Sequence, residues 1–195
     1  METLREGATP LARDFGIIVR WACAPRLRRF AFLLLLYAAG LMLWMYIFDF
    51  AQFISKDWPL VAKYHSVLRD ALSTRQVPYL MSYKGHYTDR FLALPEVPFS
   101  PQYFLLPWLS DSVFNHVNIL LFYSVGFAGL LALRKAFSLS ALPFAFVFML
   151  FSFNGYIVSR TAVGHTMWYG CFFLPFFHLL VIRMVEERFP GRSRI

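Results

Sequence analysis

The stretch FAFLLLLYAAGLMLWMYIF, residues 30–48, contains no charged side chain and decides the class of fold. At 1.5 Å per residue, a helix of this length spans about 30 Å, which is the thickness of the hydrocarbon core of a bilayer. A run of arginines precedes the stretch, and Trp44 and Tyr46 near its other end are typical of a membrane interface. We therefore predict a first transmembrane helix over residues 30–49.

The composition of the whole chain agrees with a membrane protein. Of the 195 residues, 58% are hydrophobic and only 15% are charged, whereas a soluble domain has about 25% charged residues. The formal net charge is +8, but the basic residues flank apolar stretches, where they contact anionic lipid, so we do not expect nucleic-acid binding. Cys23 and Cys171 give neither a disulfide framework nor the spacing of a zinc site.

Three further apolar stretches predict the remaining spans of a protein with four transmembrane helices, over residues 113–133, 139–158 and 167–183. Basic residues are concentrated in the segments 1–29, 134–138 and 184–195, and an even number of spans places all three on one side. By the positive-inside rule this side is the cytoplasm. We therefore predict an all-α integral membrane protein, expected in a bacterial inner membrane, with both termini cytoplasmic and the loop 50–111 outside.

The loop 50–111 is predicted to carry an amphipathic helix that begins at Trp58-Pro59. Its apolar residues share one face and its charged residues point elsewhere: Val61, Tyr64, Leu68 and Leu72 against Lys63, Arg69 and Asp70. Prolines between residues 95 and 107 exclude a long helix in the second half of the loop. We expect this half to pack on the membrane surface.

Two acidic residues are candidates for chemistry. Asp49 directly follows the first span, where a carboxylate is either paired, neutral or held for a purpose. The simpler interpretation is an ordinary residue at a helix end that reaches the headgroup layer. Asp57 can cap the helix that begins at Trp58, which the spacing favours, and it can also act as a base or bind a metal.

Cationic side chains gather in the predicted turn between the third and fourth spans. Arg160 and His165 lie in the string SRTAVGHTMW, where they can bind a lipid phosphate or anchor the turn at the interface. His116 lies on the same side at the start of the second span. Lys84 and His86 belong to a polar group in the loop that can contact a sugar or a partner, and that is equally typical of a solvated loop.

His178 lies within the fourth predicted span. We favour a neutral imidazole that hydrogen-bonds to a neighbouring helix. The alternative is an axial ligand to a haem or a chlorophyll-like pigment, but no second histidine at bundle spacing supports it.

Four features follow one another in this chain: a span that ends at an acidic residue, an amphipathic helix, a proline-rich aromatic segment and a turn with Gly-His. The segments in question are FDFAQFISKDWP (48–59), YHSVLRDALSTRQVPYL (64–80), PEVPFSPQYFLLPWL (95–109) and RTAVGHTMWYGCFFLPFFHLLVIR (160–183). Their order resembles the N-terminal part of the GT-C class of membrane glycosyltransferases, and within it the YfhO-like and dolichyl-phosphate-mannose transferase-like proteins.

The resemblance implies transfer of a sugar from a polyprenyl-phosphate carrier at the outer membrane face. Asp49 or Asp57 would serve as the base or organise the acceptor, and Arg160 and His165 would hold the carrier phosphate. The match over residues 57–59 favours Asp57, and proximity to the first span favours Asp49. No motif requires a cofactor, and a divalent metal ion is left open. The expected partners are membrane lipid and a lipid-linked sugar.

Enzymes of this class have many more spans, so we expect the chain to be a fragment or a shortened relative. A second hypothesis is a non-catalytic subunit of a larger redox or light-harvesting membrane complex, whose aromatic spans contact partner subunits or pigments. A small transporter or channel is a weaker hypothesis, because polar residues are nearly absent from the spans.

Overall fold

The computed structural model describes residues 26–51, 53, 56–77, 81–83, 86–88 and 100–188. The α-helices are α1 (Arg26–Ala51), α2 (Trp58–Thr74), α3 (Asp111–Ala136), α4 (Ala141–Ser152), α5 (Gly155–Ala162) and α6 (Leu174–Arg188), and 3-10 helices cover Pro101–Trp108 and Thr166–Phe173. A short hairpin pairs β1 (Met81–Tyr83) antiparallel with β2 (His86–Thr88). Residues 1–25 of the predicted cytoplasmic segment 1–29 lie outside the described residues.

Four helical stretches are long and apolar enough to cross a membrane: Arg28–Asp49, Asp111–Ala136, Ala141–Ala162 and Thr166–Arg188. The third stretch combines α4 with α5, and the fourth combines the second 3-10 helix with α6. The prediction of a helical protein with four membrane-spanning stretches is confirmed by length and composition. Within the described residues, the hairpin is the only β-structure beside the helices.

The third stretch is interrupted at Asn154. The side-chain oxygen of Asn154 accepts a hydrogen bond from the backbone N–H of Ile157 at 2.9 Å, and so caps the start of α5. α5 then continues to Ala162. Arg160 therefore lies on a helix, whereas the sequence predicted a turn over residues 159–166. The prediction was wrong because the cap supports a further helical segment where only a turn was expected.

Aromatic rings fill the space between the spans. The fully buried large side chains include Trp44, Phe48, Tyr123, Phe144, Phe148 and Phe172. Gly40 lets α1 approach this core, because an added Cβ would meet the Tyr123 hydroxyl and the Phe148 ring. The Tyr123 hydroxyl also donates to the carbonyl of Tyr37 at 2.7 Å. Packing and a hydrogen bond therefore join α1 to α3.

The apolar face of α2 packs on the first 3-10 helix and the start of α3, with Tyr64, Leu68, Tyr103, Leu106 and Phe114 buried together. The sequence predicted that Arg69 points away from this apolar face, and that prediction was wrong. Its guanidinium donates to the carbonyls of Leu106 and Leu109 at 3.0 and 3.1 Å, and to the Asp111 carboxylate at 2.7 Å. The long side chain can reach across the apolar contact to these acceptors, so Arg69 fastens α2 to the neighbouring elements.

His65 is enclosed beside this contact. Its side chain is 2% exposed, and its ring packs on those of Phe114 and Tyr103 at 4.9 and 6.0 Å. Burial lowers the pKa of His65 from 6.5 to about 4; the Asp111 carboxylate opposes this shift and the Arg69 guanidinium adds to it. The stability that neutral His65 supports is therefore complete above pH 6.5, and it is lost as the pH falls from 6.5 towards 4.

We predict that His65→Phe weakens the pH dependence of unfolding. An apolar ring keeps the packing but cannot take up a proton, so the wild type should lose about 1–2 kcal/mol more than the variant between pH 7.5 and pH 5. Urea unfolding of the detergent-solubilised protein at both pH values measures the difference. The same substitution at the exposed His178 is the control and should follow the wild type. Equal pH dependence in wild type and His65→Phe would contradict the account.

Candidate functional site

The corner that begins α2 is joined to the segment that follows α5. The backbone N–H of Asp57 donates to the carbonyl of Val163 at 3.0 Å. The indole Nε1 of Trp58 donates to the carbonyl of Ala162 at 3.1 Å. Trp58 is itself buried against Phe48 at the end of α1. The end of α1, the start of α2 and the segment after α5 therefore meet at one end of the bundle, which we call the polar end.

Gly164 makes this close approach possible. Its φ is +95°, and an added Cβ would lie 2.9 Å from the backbone nitrogen of Trp58 and 3.1 Å from the carbonyl carbon of Asp57. Both the conformation and the lack of space exclude a side chain. The Gly-His pair that the sequence analysis noted thus has a structural reason: the glycine lets the next residue, His165, reach Asp57.

Asp57, His165 and Arg160 form a connected group, which we call the His165 cluster. Nε2 of His165 lies 2.6 Å from Oδ2 of Asp57, and Nδ1 of His165 lies 3.4 Å from an Arg160 guanidinium nitrogen. Because a guanidinium only donates, Nδ1 is the acceptor, and Nε2 carries the proton that it donates to Asp57. The hydrogen bonds therefore run in one direction, from Arg160 through His165 to Asp57.

The position of Asp57 in the sequence predicted that its carboxylate caps α2, and that prediction was wrong. Its backbone occupies the N-cap position, but the side chain makes no capping hydrogen bond and accepts the proton of His165. The side chain of Asp57 is 54% exposed, so its second oxygen is open to a ligand. Arg160 is held by its contact with the Tyr156 ring at 5.1 Å. The His165 cluster therefore holds an oriented, accessible carboxylate close to a cation.

Asp49 and His116 form a second group, which we call the His116 pair. Oδ1 of Asp49 and Nε2 of His116 are 3.7 Å apart, and Nδ1 of His116 lies 2.8 Å from the carbonyl oxygen of Ser112. The ring of Phe53 contacts both His116, at 5.3 Å, and Trp58, the residue after Asp57, at 4.6 Å between ring centres. The two groups are neighbours at the polar end.

Five of the seven predicted site residues thus lie at the polar end: Asp49, Asp57, His116, Arg160 and His165. Of the other two, Lys84 lies outside the described residues, and His86 is described only by its backbone in β2. Sequence reasoning missed Trp58 as the residue that positions Asp57. Its place between Asp57 and a proline was visible only as a helix start, and nothing in the local sequence indicates the contact with Ala162.

No group of three or more histidine, cysteine, aspartate or glutamate side chains lies close enough, among the described residues, to hold a metal ion. A divalent ion at Asp49 or Asp57 would therefore have at most two such ligands from this part of the chain. The sequence left a divalent metal ion open, and these residues form no site with three such ligands for it.

An apolar groove of about 790 Å³ runs between the first 3-10 helix, α3 and the second 3-10 helix. Its lining includes Leu105, Leu121, Phe122, Val125, Met167 and Phe173. Thr166, which also lines the groove, directly follows His165 in the sequence. The groove therefore reaches the residue next to His165 in the sequence and runs along the membrane-spanning part of α3.

No protein-family model, curated protein or solved structure matches this chain. The fold and the site alone define its class. In the part of the chain that the structure describes, it is a helical protein with four stretches able to span a membrane, and the His165 cluster and the His116 pair lie together at one end.

We predict that Gly164→Ala destabilises the protein, because the added methyl group has no room against the backbone at Asp57 and Trp58. Overpacking of this kind costs about 1–3 kcal/mol. Gly155→Ala is the matched control, since nothing lies within 4 Å of a Cβ added there. Thermal unfolding in detergent, followed by tryptophan fluorescence, compares the two. A melting temperature for Gly164→Ala equal to that of the control would show that the approach is not tight.

Proposed function

We propose that the chain is a GT-C-like glycosyltransferase module that acts on a sugar linked to a polyprenyl phosphate. The observation that carries the proposal is the His165 cluster, in which an exposed carboxylate and a guanidinium flank one imidazole. Transfer of a sugar from a phosphate to a hydroxyl needs a base for the hydroxyl and a cation for the leaving phosphate. The cluster supplies both groups within reach of one bound substrate.

In the proposed reaction, the free oxygen of Asp57 accepts the proton of the acceptor hydroxyl. The hydroxyl oxygen attacks the anomeric carbon of the sugar, a new C–O bond forms, and the bond from that carbon to the phosphate oxygen breaks. Arg160 stabilises the charge on the departing phosphate with its remaining N–H groups. His165 touches neither reactant in this scheme and is a positioning residue. It orients Asp57 by a hydrogen bond and is itself hydrogen-bonded to Arg160.

The apolar groove supports the use of a lipid-linked donor. A polyprenyl chain needs an apolar surface, and the groove provides one that extends to Thr166, the residue after His165. An apolar groove that reaches the sequence neighbour of His165 suits a molecule with a phosphate at one end and an isoprenoid chain at the other. We propose that the chain lies along Leu121 and Val125 of α3 while the phosphate meets Arg160.

The charges at the helix ends favour an extracytoplasmic site. Arg28 and Arg29 begin α1, and Arg134 and Lys135 lie in the last turn of α3, at helix ends opposite to those that meet at the polar end. By the positive-inside rule, these basic ends face the cytoplasm. We propose that the polar end, with the hairpin and α2, faces outwards from a bacterial inner membrane, and that both chain termini are cytoplasmic.

A second candidate function is a non-catalytic subunit of a larger membrane complex, which the surface of α6 favours. Leu174, His178, Val181 and Val185 are exposed and follow one another at intervals of four, three and four residues. Nδ1 of His178 lies 2.7 Å from the carbonyl oxygen of Leu174, so Nε2 is an acceptor, and no described residue donates to it on this apolar surface. A neighbouring transmembrane helix with a donor would satisfy it.

We predict that Asp57→Asn abolishes sugar transfer, with a loss of about 100-fold or more, because an amide cannot take the hydroxyl proton. Arg160→Gln should raise the KM for the lipid-linked donor, and His165→Gln should lower kcat more than it changes KM. The assay uses membranes that contain the full chain and follows the consumption of a panel of radiolabelled polyprenyl-phosphate hexoses and pentoses.

Asp70→Asn is the matched control, because Asp70 is an exposed carboxylate elsewhere on α2. It should transfer sugar at the wild-type rate. A wild-type protein inactive on every carrier in the panel, or an Asp57→Asn variant as active as the wild type, would reject the proposed function. Stoichiometric co-purification of partner membrane subunits with such an inactive protein would favour the second candidate.

A further inference from the structure

The His116 pair contains two hydrogen-bond acceptors with no donor between them in the described part of the chain. The carbonyl oxygen of Ser112 can only accept, so Nδ1 of His116, at 2.8 Å from it, carries a proton. In the neutral imidazole, Nε2 is then a lone pair, and it faces Oδ1 of Asp49 at 3.7 Å. This distance exceeds that of a hydrogen bond. In the His165 cluster the equivalent distance is 2.6 Å.

The packing around His116 maintains the 3.7 Å distance, which leaves a gap between Nε2 of His116 and Oδ1 of Asp49. The imidazole of His116 lies against the rings of Phe48 and Phe53, at 5.6 and 5.3 Å between ring centres. Phe48 is buried in the aromatic core, and the hydrogen bond to Ser112 fixes the other edge of the imidazole. The ring is therefore held from two sides and keeps Nε2 directed at Asp49.

The surroundings of the pair favour a cation. Asp49 lies in the last turns of α1, where the unpaired helix carbonyls already give a negative potential, and that turn contains no basic residue. The side chain of Asp49 is 80% exposed and that of His116 is 28% exposed, so a ligand can reach the gap. A small cation that enters it meets a carboxylate, a lone pair and the helix end together.

We propose that the His116 pair binds a primary ammonium group. A hydroxyl has one proton and can donate to only one of the two acceptors, whereas an ammonium has three N–H groups and can donate to both. Its charge also offsets that of Asp49. A divalent metal ion is a weaker candidate because the described residues offer it fewer than three histidine, cysteine, aspartate or glutamate ligands. The chemistry fits an amino sugar or the ammonium headgroup of a membrane lipid.

The inference rests on the proposed function only for the role of the ligand as a substrate, and the binding chemistry depends on the pair alone. If Asp57→Asn leaves sugar transfer unchanged while the ammonium site is intact, the proposed function fails and this inference stands. If Asp57→Asn abolishes transfer but no ammonium binds, this inference fails by itself.

The probe is n-hexylammonium, titrated into the full chain in phosphatidylcholine nanodiscs, whose lipid has no primary amine. The imidazole resonances of His116, assigned with His116→Gln, report binding. We expect saturable binding that is at least tenfold weaker for n-hexanol, which has one O–H, and for hexyltrimethylammonium, which has the charge but no N–H. Asp49→Asn should weaken hexylammonium binding at least tenfold, because its amide can itself donate to Nε2 and close the gap. Asp70→Asn should bind as the wild type does.

Equal binding of the three probes, or unchanged binding by Asp49→Asn, would overturn the proposal. Competition then identifies the natural source. Phosphatidylethanolamine in place of phosphatidylcholine should weaken hexylammonium binding if a headgroup occupies the site, and glucosamine, but not glucose, should displace it if an amino sugar does. Either result supports an ammonium site, and failure of both competitors would reject it.

Discussion

The polar end depends on the hydrogen bonds that join the start of α2 to the segment after α5. The backbone of Asp57 and the indole of Trp58 donate to Val163 and Ala162, and the Asp57 carboxylate accepts from His165. Polar groups that apolar packing shields from water, such as the indole N–H of the buried Trp58, need partners within the protein. These bonds satisfy them and at the same time bring the acidic and basic side chains together.

The rest of the molecule supports this junction with apolar packing. Phe48 and Phe53 pack on Trp58, and Trp44 continues the aromatic contacts towards Phe172. Such rings contribute large contact areas with few rotatable bonds. Arg69 holds the second half of α2 in place by hydrogen bonds to the Asp111 carboxylate and to the carbonyls of Leu106 and Leu109. The position of Asp57 is therefore fixed both by its own hydrogen bonds and by a helix that is held along its length.

Much of this arrangement could be predicted from the sequence, since hydrocarbon length and charge bias are local properties. The four spans followed from uncharged stretches, and the start of α2 from Trp58-Pro59. The grouping of Asp57 with His165 could not be derived from spacing, because it depends on tertiary contact across 108 positions. The role of Arg69 was missed for a related reason: periodicity gives the direction of a side chain but not how far a long one reaches. The helical position of Arg160 depends on the cap that Asn154 gives to α5, and the loss of an apolar pattern after residue 158 does not indicate that cap.

The central claim is that Asp57 and His165 share a hydrogen bond in which Nε2 is the donor. Nitrogen NMR of the protein labelled with ¹⁵N-histidine, reconstituted in nanodiscs, measures it directly. The account predicts that Nε2 of His165 is protonated, that Nδ1 is not, and that Asp57→Asn shifts the Nε2–H signal strongly. A His165 protonated on Nδ1 alone, with a spectrum unchanged by Asp57→Asn, would contradict the claim.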